Sequence, residues 1–178
     1  MEAAIIAGVA HDRSEAKITV VGVPDKVGVA ARVFEALAEA QINLDMIVQN
    51  VSAAATNLTD ISFTLPRTDG QTAMAALAGL QAEIGFEKLS YNDQIGKVSL
   101  IGAGMRSHPG VTAKFFSAIA DAGVNLGMIS TSEIRISEVV MMSMLTPASA
   151  SASQNVAVTP GWERMPAPIS ETLPTRSL

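Results

Sequence analysis

The sequence predicts an α+β protein in which one βαββαβ module occurs twice in tandem, with the second copy incomplete. The first observation is an internal repeat, in which residues 22–50 return as residues 102–132 when Gly28 is laid on Gly110. The second is that a similar β-branched segment precedes each copy, KITVVG before the first and KVSLIG before the second. The third is that strand and helix periods alternate in the order β-α-β-β-α-β. This order is typical of a ferredoxin-like unit.

The first module starts with residues 17–23, whose apolar and β-branched composition is typical of a short buried strand. Turn residues follow up to Gly28, and apolar residues at helical spacing then predict a helix from Val29 to Ala40. The remaining predicted elements are a strand over 42–52, a strand over 59–66, a helix over 69–84 with Asp69 as its N-cap, and a strand over 86–92.

The second module begins in the same way but does not complete the pattern. Its predicted elements are a strand over 97–102, a loop over 103–110, a helix over 111–122, and strands over 124–131 and 134–142. Residues 146–178 are rich in Ser, Pro, Ala and Thr, lack an apolar period, and are predicted to be disordered. Residues 2–10 predict an extra strand that could join either sheet. The predicted domains are therefore an N-terminal segment over 1–14, modules over 15–94 and 95–145, and a tail over 146–178.

Composition excludes several classes of protein. The net charge of −5, without a basic cluster, argues against a nucleic-acid partner. No apolar run reaches the roughly 18–20 residues that a membrane span requires. The chain has no cysteine, which excludes disulfides and thiolate metal sites and makes the cytoplasm the expected compartment.

No catalytic residue, metal site or cofactor site is predicted. His11 and His108 each lack a second ligand at metal-binding spacing, so a structural or surface role is the favoured interpretation of both. The glycine-rich GAGMRSHPG stretch lacks the third glycine of a dinucleotide-binding loop, and a sharp strand-to-helix turn explains it better.

A binding site for a small polar ligand is predicted at matched positions in the two copies. Gly28 and Gly110 stand where a helix begins, and the free amides and positive dipole end of such a helix attract a carboxylate. Asn43 and Asn125 open the following strands, where an amide could reach a group beside the helix start, and Asp25 could hold an ammonium group. The alternative is that the glycines only close tight turns while the polar residues satisfy their own backbone. Carboxylate and ammonium contacts together describe an amino acid as the ligand.

The quoted residues carry a family resemblance. PDKVGVAARVFEALAEAQINLDMIVQNVS, the SHPGV loop and ISTSEIRIS closely resemble the C-terminal regulatory region of aspartate kinases, a tandem pair of ACT domains, over about residues 1–137. The resemblance implies the separately made β subunit of an α2β2 enzyme. It further implies a homodimer through the ACT sheets, a catalytic α subunit as partner, and feedback inhibition of aspartate phosphorylation by lysine, threonine or both.

The resemblance also implies effector-binding residues at the interface between paired ACT domains. By match to the family, these are Asp25, Lys26, Val27, Gly28, Val29, Ala30, Asn43, Leu44, Asp45 and Gln49, with Ser52 beside the pocket, and Val111, Thr112, Asn125, Leu126 and Ser132 in the second copy.

The chain departs from the family at several points. Val27 stands where proline is common, and Gly123 and Gly127 are expected to weaken the helix end and strand where they lie. From about Glu138 the family pattern is no longer recognisable, and the tail resembles sequence read in another frame. We therefore expect apolar side chains to be exposed at Val139, Val140, Met141 and Met142, with low stability or a strong need for a partner. Two other functions remain open, an assembly module that has lost its effector site and, less favoured, a small enzyme.

Overall fold

The structure, a computed structural model, describes residues 5–50, 56–103, 110–132 and 135–141. Ser52, His108, Met142 and the predicted disordered tail over 146–178 lie outside the described residues. For Met141 only the backbone is described, so its predicted exposure also lies outside them.

Eight strands and three α-helices form the described part of the chain. In chain order they are β1 Ile5–Asp12, β2 Glu15–Pro24, α1 Val29–Glu39, β3 Ile47–Gln49, β4 Leu58–Pro66, α2 Gly70–Ile84, β5 Lys88–Asn92, β6 Ile95–Ala103, α3 Val111–Asp121, β7 Leu126–Thr131 and β8 Arg135–Met141. A single 3-10 turn, Arg67–Asp69, precedes α2. The predicted order of elements is confirmed.

The strands form two four-stranded antiparallel sheets. The first sheet has the order β3-β4-β2-β5, and the second has the order β1-β6-β8-β7. The N-terminal strand therefore belongs to the second sheet, where Val9 pairs with Leu100 and Asp12 with Lys97. It takes the place beside β6 that β5 takes beside β2. The first unit is thus inserted between two strands of the second.

The core of the first unit forms where α1 and α2 pack on one face of its sheet. Ile18 and Phe63 come from the central strands, while Leu37 and Leu77 come from the two helices, and all four are fully or almost fully buried. This arrangement follows from the sequence pattern, because the apolar residues recur at period 2 in the strands and at helical spacing in the helices.

The second unit has a smaller core beneath α3. Phe115 and Ile119 of the helix pack with Leu100, Ile136 and Val140 of the sheet. The expected exposure of Val139 and Val140 is wrong, because both residues are buried. Val140 faces α3, whereas Val139 points to the opposite face and packs against residues of the first unit.

Three local expectations need correction. The strand predicted over 42–52 forms only Ile47–Gln49 within the described residues up to 50, and the residues before it make irregular contacts with β4. Asp69 precedes α2 but its side chain caps no helix amide. Gly123 does not weaken its helix end: it adopts a left-handed φ of 70° and donates a hydrogen bond to the Ala120 carbonyl, 2.8 Å away, which ends α3 in the manner favoured by glycine.

The helix-free faces of the two sheets meet through a small apolar cluster. Met46 of the first unit and Met128 of the second occupy equivalent positions of the repeat, and both are buried there with Ile95 and Val139. The repeat in the sequence therefore becomes an approximate two-fold arrangement within one chain.

Candidate functional site

The two repeated helix starts have the same geometry. Gly28 has φ 91° and ψ −17° before α1, and Gly110 has φ 98° and ψ −15° before α3. Both lie in the left-handed region that favours glycine. Neither helix has a side-chain hydrogen bond at its N-cap or an acidic residue in its first turn. The positive end of each helix is therefore available to an anionic group.

Space is also available at these glycines. A Cβ placed on Gly28 or on Gly110 would meet no heavy atom of the described residues within 4 Å. The loop before α1 is held by its backbone, since the Asp25 amide donates to the Asn57 carbonyl at 2.9 Å and the Val29 amide to the Lys26 carbonyl at 3.3 Å. The Val27 side chain, by contrast, is fully exposed.

We call residues 43–46, which follow α1, and residues 125–128, which follow α3, the asparagine segments. Asn43 is exposed, and the next-but-one residue, Asp45, donates its amide to the Thr64 carbonyl at 3.0 Å. Asn125 accepts a 3.0 Å hydrogen bond from the Leu126 amide through its Oδ1 atom. At Asn125 the alternative role, in which the side chain satisfies its neighbouring backbone, is therefore observed.

A single unit does not bring the glycine and the asparagine together. Gly28 precedes α1 and Asn43 follows it, and a helix of 11 residues spans about 16 Å. The two loops also attach to opposite ends of β4, one through Asn57 and the other through Thr64. Gln49 lies closer to the glycine end, because it pairs with Ile61.

The predicted residues thus divide into two groups in each unit. At the helix-start end lie Asp25, Lys26, Val27, Gly28, Val29, Ala30 and Gln49, with Val111, Thr112 and Ser132 in the second unit; at the other end lie Asn43, Leu44 and Asp45, with Asn125 and Leu126 in the second unit. Leu44 packs against the core of the first unit, whereas Leu126 remains partly exposed.

Two lysines that the sequence analysis missed contact the asparagine segments. Lys97 of β6 forms ion pairs with Glu15 and with Asp45, the latter at 2.5 Å. Lys17 of β2 donates to the Gly127 carbonyl at 3.3 Å. Burial alone would lower the pKa of Lys97, but the hydrogen bonds to Asp45 and Glu15 outweigh it, so that its pKa is raised. The sequence signal that could have identified both lysines is their equivalent position at the start of KITVVG and KVSLIG.

Within the described ranges, no group of three or more His, Cys, Asp or Glu residues could hold a metal ion. Nor does the described part of the chain contain a helix long and apolar enough to cross a membrane.

Comparison with known proteins identifies the family. A model of the ACT domain matches residues 18–79 and 98–154. The structure resembles the ligand-free regulatory subunit of aspartate kinase from Thermus thermophilus, with 41% identity and a TM-score of 0.75 over 84% of this chain and 97% of that one. The chain belongs to the ACT domain family, as an aspartate kinase regulatory region.

Sequence relatives point the same way. This ACT-domain chain is 61% identical to the aspartokinase of Mycolicibacterium smegmatis and 57% identical to that of Corynebacterium efficiens, each over 140 residues or 79% of its length. It spans about a third of those relatives, covering 33% of each. The part it covers corresponds to regulatory ACT domains, and the chain shows no coverage of a catalytic domain.

Proposed function

We propose that this ACT-domain chain is the regulatory part of an aspartate kinase, the enzyme that transfers phosphate from ATP to aspartate. In this proposal it binds lysine, threonine or both, pairs with a second copy, and transmits feedback inhibition to a catalytic α subunit. Its membership of the aspartate kinase regulatory family supports the role. The observation that carries ligand binding is the pair of uncapped helix starts at Gly28 and Gly110.

A second copy would complete each site. β3 and β7 are edge strands of their sheets and carry exposed apolar side chains, with Ile47 49% and Ile129 43% exposed. If two β3 strands pair antiparallel across a two-fold axis, the start of one strand lies beside the end of the other. The partner's Asn43 then approaches the Gly28 end of this chain. The helix-start residues and the asparagine, which are far apart within one unit, then meet in a site shared between two chains.

Such a shared site suits an amino acid. The helix start supplies amides and a partial positive charge for the α-carboxylate, while Asp25 supplies a carboxylate for an ammonium group. An effector enclosed between two chains stabilises one interface geometry over others. A differential affinity of about 1–3 kcal/mol is enough to shift the attached kinase towards an inactive state.

Titration calorimetry with lysine and with threonine tests the proposal on the full chain. We expect heat of binding with at least one of them, and we expect Gly28→Ala to abolish the part of it that arises at the Gly28 site, because alanine is strained at a φ of 91° and disturbs the amides around the ligand. Gly79→Ala is the matched control, since Gly79 lies in α2 with open space around it and without a positive φ. Heat of binding that Gly28→Ala leaves undiminished would show that the carboxylate sits elsewhere.

The alternative function is a module that only assembles the enzyme. The exposed apolar edge strands favour it, because they support self-association without any ligand. A stable dimer that gives no heat with lysine or threonine would favour this alternative. Phosphorylation of aspartate by the purified chain alone would contradict both functions.

A further inference from the structure

The contacts of Lys97 and Lys17 are related by the internal repeat. Lys17 and Lys97 are equivalent positions of the two strands, and Asp45 and Gly127 are equivalent positions of the two asparagine segments. Each lysine holds the segment of the opposite unit, Lys97 through the Asp45 carboxylate and Lys17 through the Gly127 carbonyl. We refer to Lys17 and Lys97 together as the crossed lysines.

The burial and packing around Lys97 favour a firm connection between the two asparagine segments. The side chain of Lys97 is 12% exposed and that of Glu15 is 11% exposed, so this ion pair is largely shielded from water and salt. On the segment itself, the Asp45 amide is bonded to β4 and the next residue, Met46, is buried. Met46 packs in the same cluster as Met128, which follows Gly127. A continuous path of packed and bonded groups therefore joins the two segments.

We propose that the crossed lysines are positioning residues that couple the two asparagine segments, so that a ligand bound at one segment biases the geometry of the other. The proposal rests on the proposed function for the identity of the ligand, but not for the physical link. A displacement of Asp45 moves either the Lys97 ammonium, which belongs to the second unit, or the Met46 side chain, which packs against that unit. Two sites that share such a connection bias each other reciprocally.

The two lysine contacts differ in strength. Lys97 meets two carboxylates, whereas Lys17 donates to a neutral carbonyl. An ammonium group is attracted more strongly by an oppositely charged carboxylate than by a neutral carbonyl oxygen. Gly127 has little room for an acidic side chain like that of Asp45, because a Cβ there would lie 3.2 Å from the Val139 carbonyl oxygen. The first segment is therefore held more firmly than the second.

Hydrogen exchange of the full chain, without ligand, tests the link. We expect Asp45→Asn to speed exchange at 125–128 as well as at 43–46, although residue 45 lies in the first unit. The double variant Glu15→Gln/Lys97→Met should do the same, and it leaves no carboxylate buried without its lysine. Glu15→Gln alone is the matched control and should leave 125–128 unchanged, because it preserves the Lys97–Asp45 pair. Faster exchange confined to 43–49 in both test variants would overturn the coupling.

Calorimetry with lysine and threonine provides the second test. We expect Glu15→Gln/Lys97→Met to weaken binding by about fivefold or more, whereas Lys97→Arg, which keeps the charge, should bind close to normally. Unchanged affinity in the double variant would overturn the proposal. If the unaltered chain gives no heat with either amino acid, the proposed function fails, and the exchange experiment still decides whether the two segments are coupled.

Discussion

At the scale of single residues, Glu138 is the clearest conflict between sequence and environment. It lies in β8 opposite Val98 and Ile129, and its residue surface is 0% exposed. Among the described residues, neither of its carboxylate oxygens has a hydrogen-bond partner. Burial raises the pKa of this carboxyl to about 7. A buried carboxylate without a partner destabilises the fold whenever it is ionised.

Glu138→Val is expected to stabilise the chain above pH 7. The folded-state pKa of about 7 lies above the ordinary value of 4.5, so the protonated form contributes stability below pH 4.5 that is lost as the pH rises through 7. The valine variant should lack this loss and gain on the order of 2 kcal/mol in the free energy of unfolding at pH 8.

Urea unfolding at pH 5 and pH 8 measures this difference. Glu39→Gln serves as the control, because Glu39 is exposed on α1. If the free energy of unfolding depends on pH equally in Glu138→Val and in the unaltered chain, Glu138 is solvated or paired.

The glycines at the helix starts show what a residue pattern reveals by itself. Gly28 and Gly110 were identified as the ends of strand-to-helix turns, and their left-handed conformations confirm those positions. Local chemistry determines this feature, since only glycine adopts such angles without strain. The relation of each glycine to the asparagine was not accessible in the same way, because it depends on which end of the sheet each loop reaches.

At the scale of elements, the N-terminal strand shows the limit of sequence patterns. Its apolar residues predicted a strand, but both sheets were possible partners. The structure pairs β1 with β6, about 90 positions away along the chain. Because β5 already covers the corresponding side of β2, the open side in the repeat is the one beside β6.

Deletion of residues 1–12 is expected to destabilise the second sheet selectively. β6 would lose its neighbour and expose a row of backbone groups, whereas β2 keeps both β4 and β5. Hydrogen exchange should therefore accelerate in β6 and β8 while β2 and β4 keep their protection. Uniform acceleration in both sheets would show instead that the two units unfold together.

The shortened β3 also has a physical cause. Ile42, Leu44, Met46 and Val48 recur at every second position of the sequence, which predicts one apolar strand face, but their side chains pack in two different cores. Ile42 and Leu44 pack beneath the helices, whereas Met46 and Val48 join the cluster between the units. A segment that changes partners in this way cannot keep one straight hydrogen-bonded register along its whole length.

At the scale of the whole molecule, the edges of the two sheets are the expected sites of self-association. We predict that Ile47→Lys combined with Ile129→Lys reduces the molar mass in light scattering to that of a monomer, because charges on paired edge strands repel. Val9→Lys is the matched control, since Val9 is 37% exposed on the opposite edge of the second sheet. A mass unaffected by the double substitution would place the interface elsewhere.

The two-copy organisation, the order of the elements and the glycine helix starts could be predicted from the amino-acid sequence, because residue periodicity and turn chemistry act between near neighbours in the chain. The regulatory ACT family was indicated by the resemblance of the repeated segments to aspartate kinases. Only the tertiary structure decided the sheet of the N-terminal strand, the burial of Val139 and Val140, and the crossed contacts of Lys17 and Lys97. The most distant of these contacts, between Lys17 and Gly127, joins residues 110 positions apart, and packing rather than local preference selects such partners.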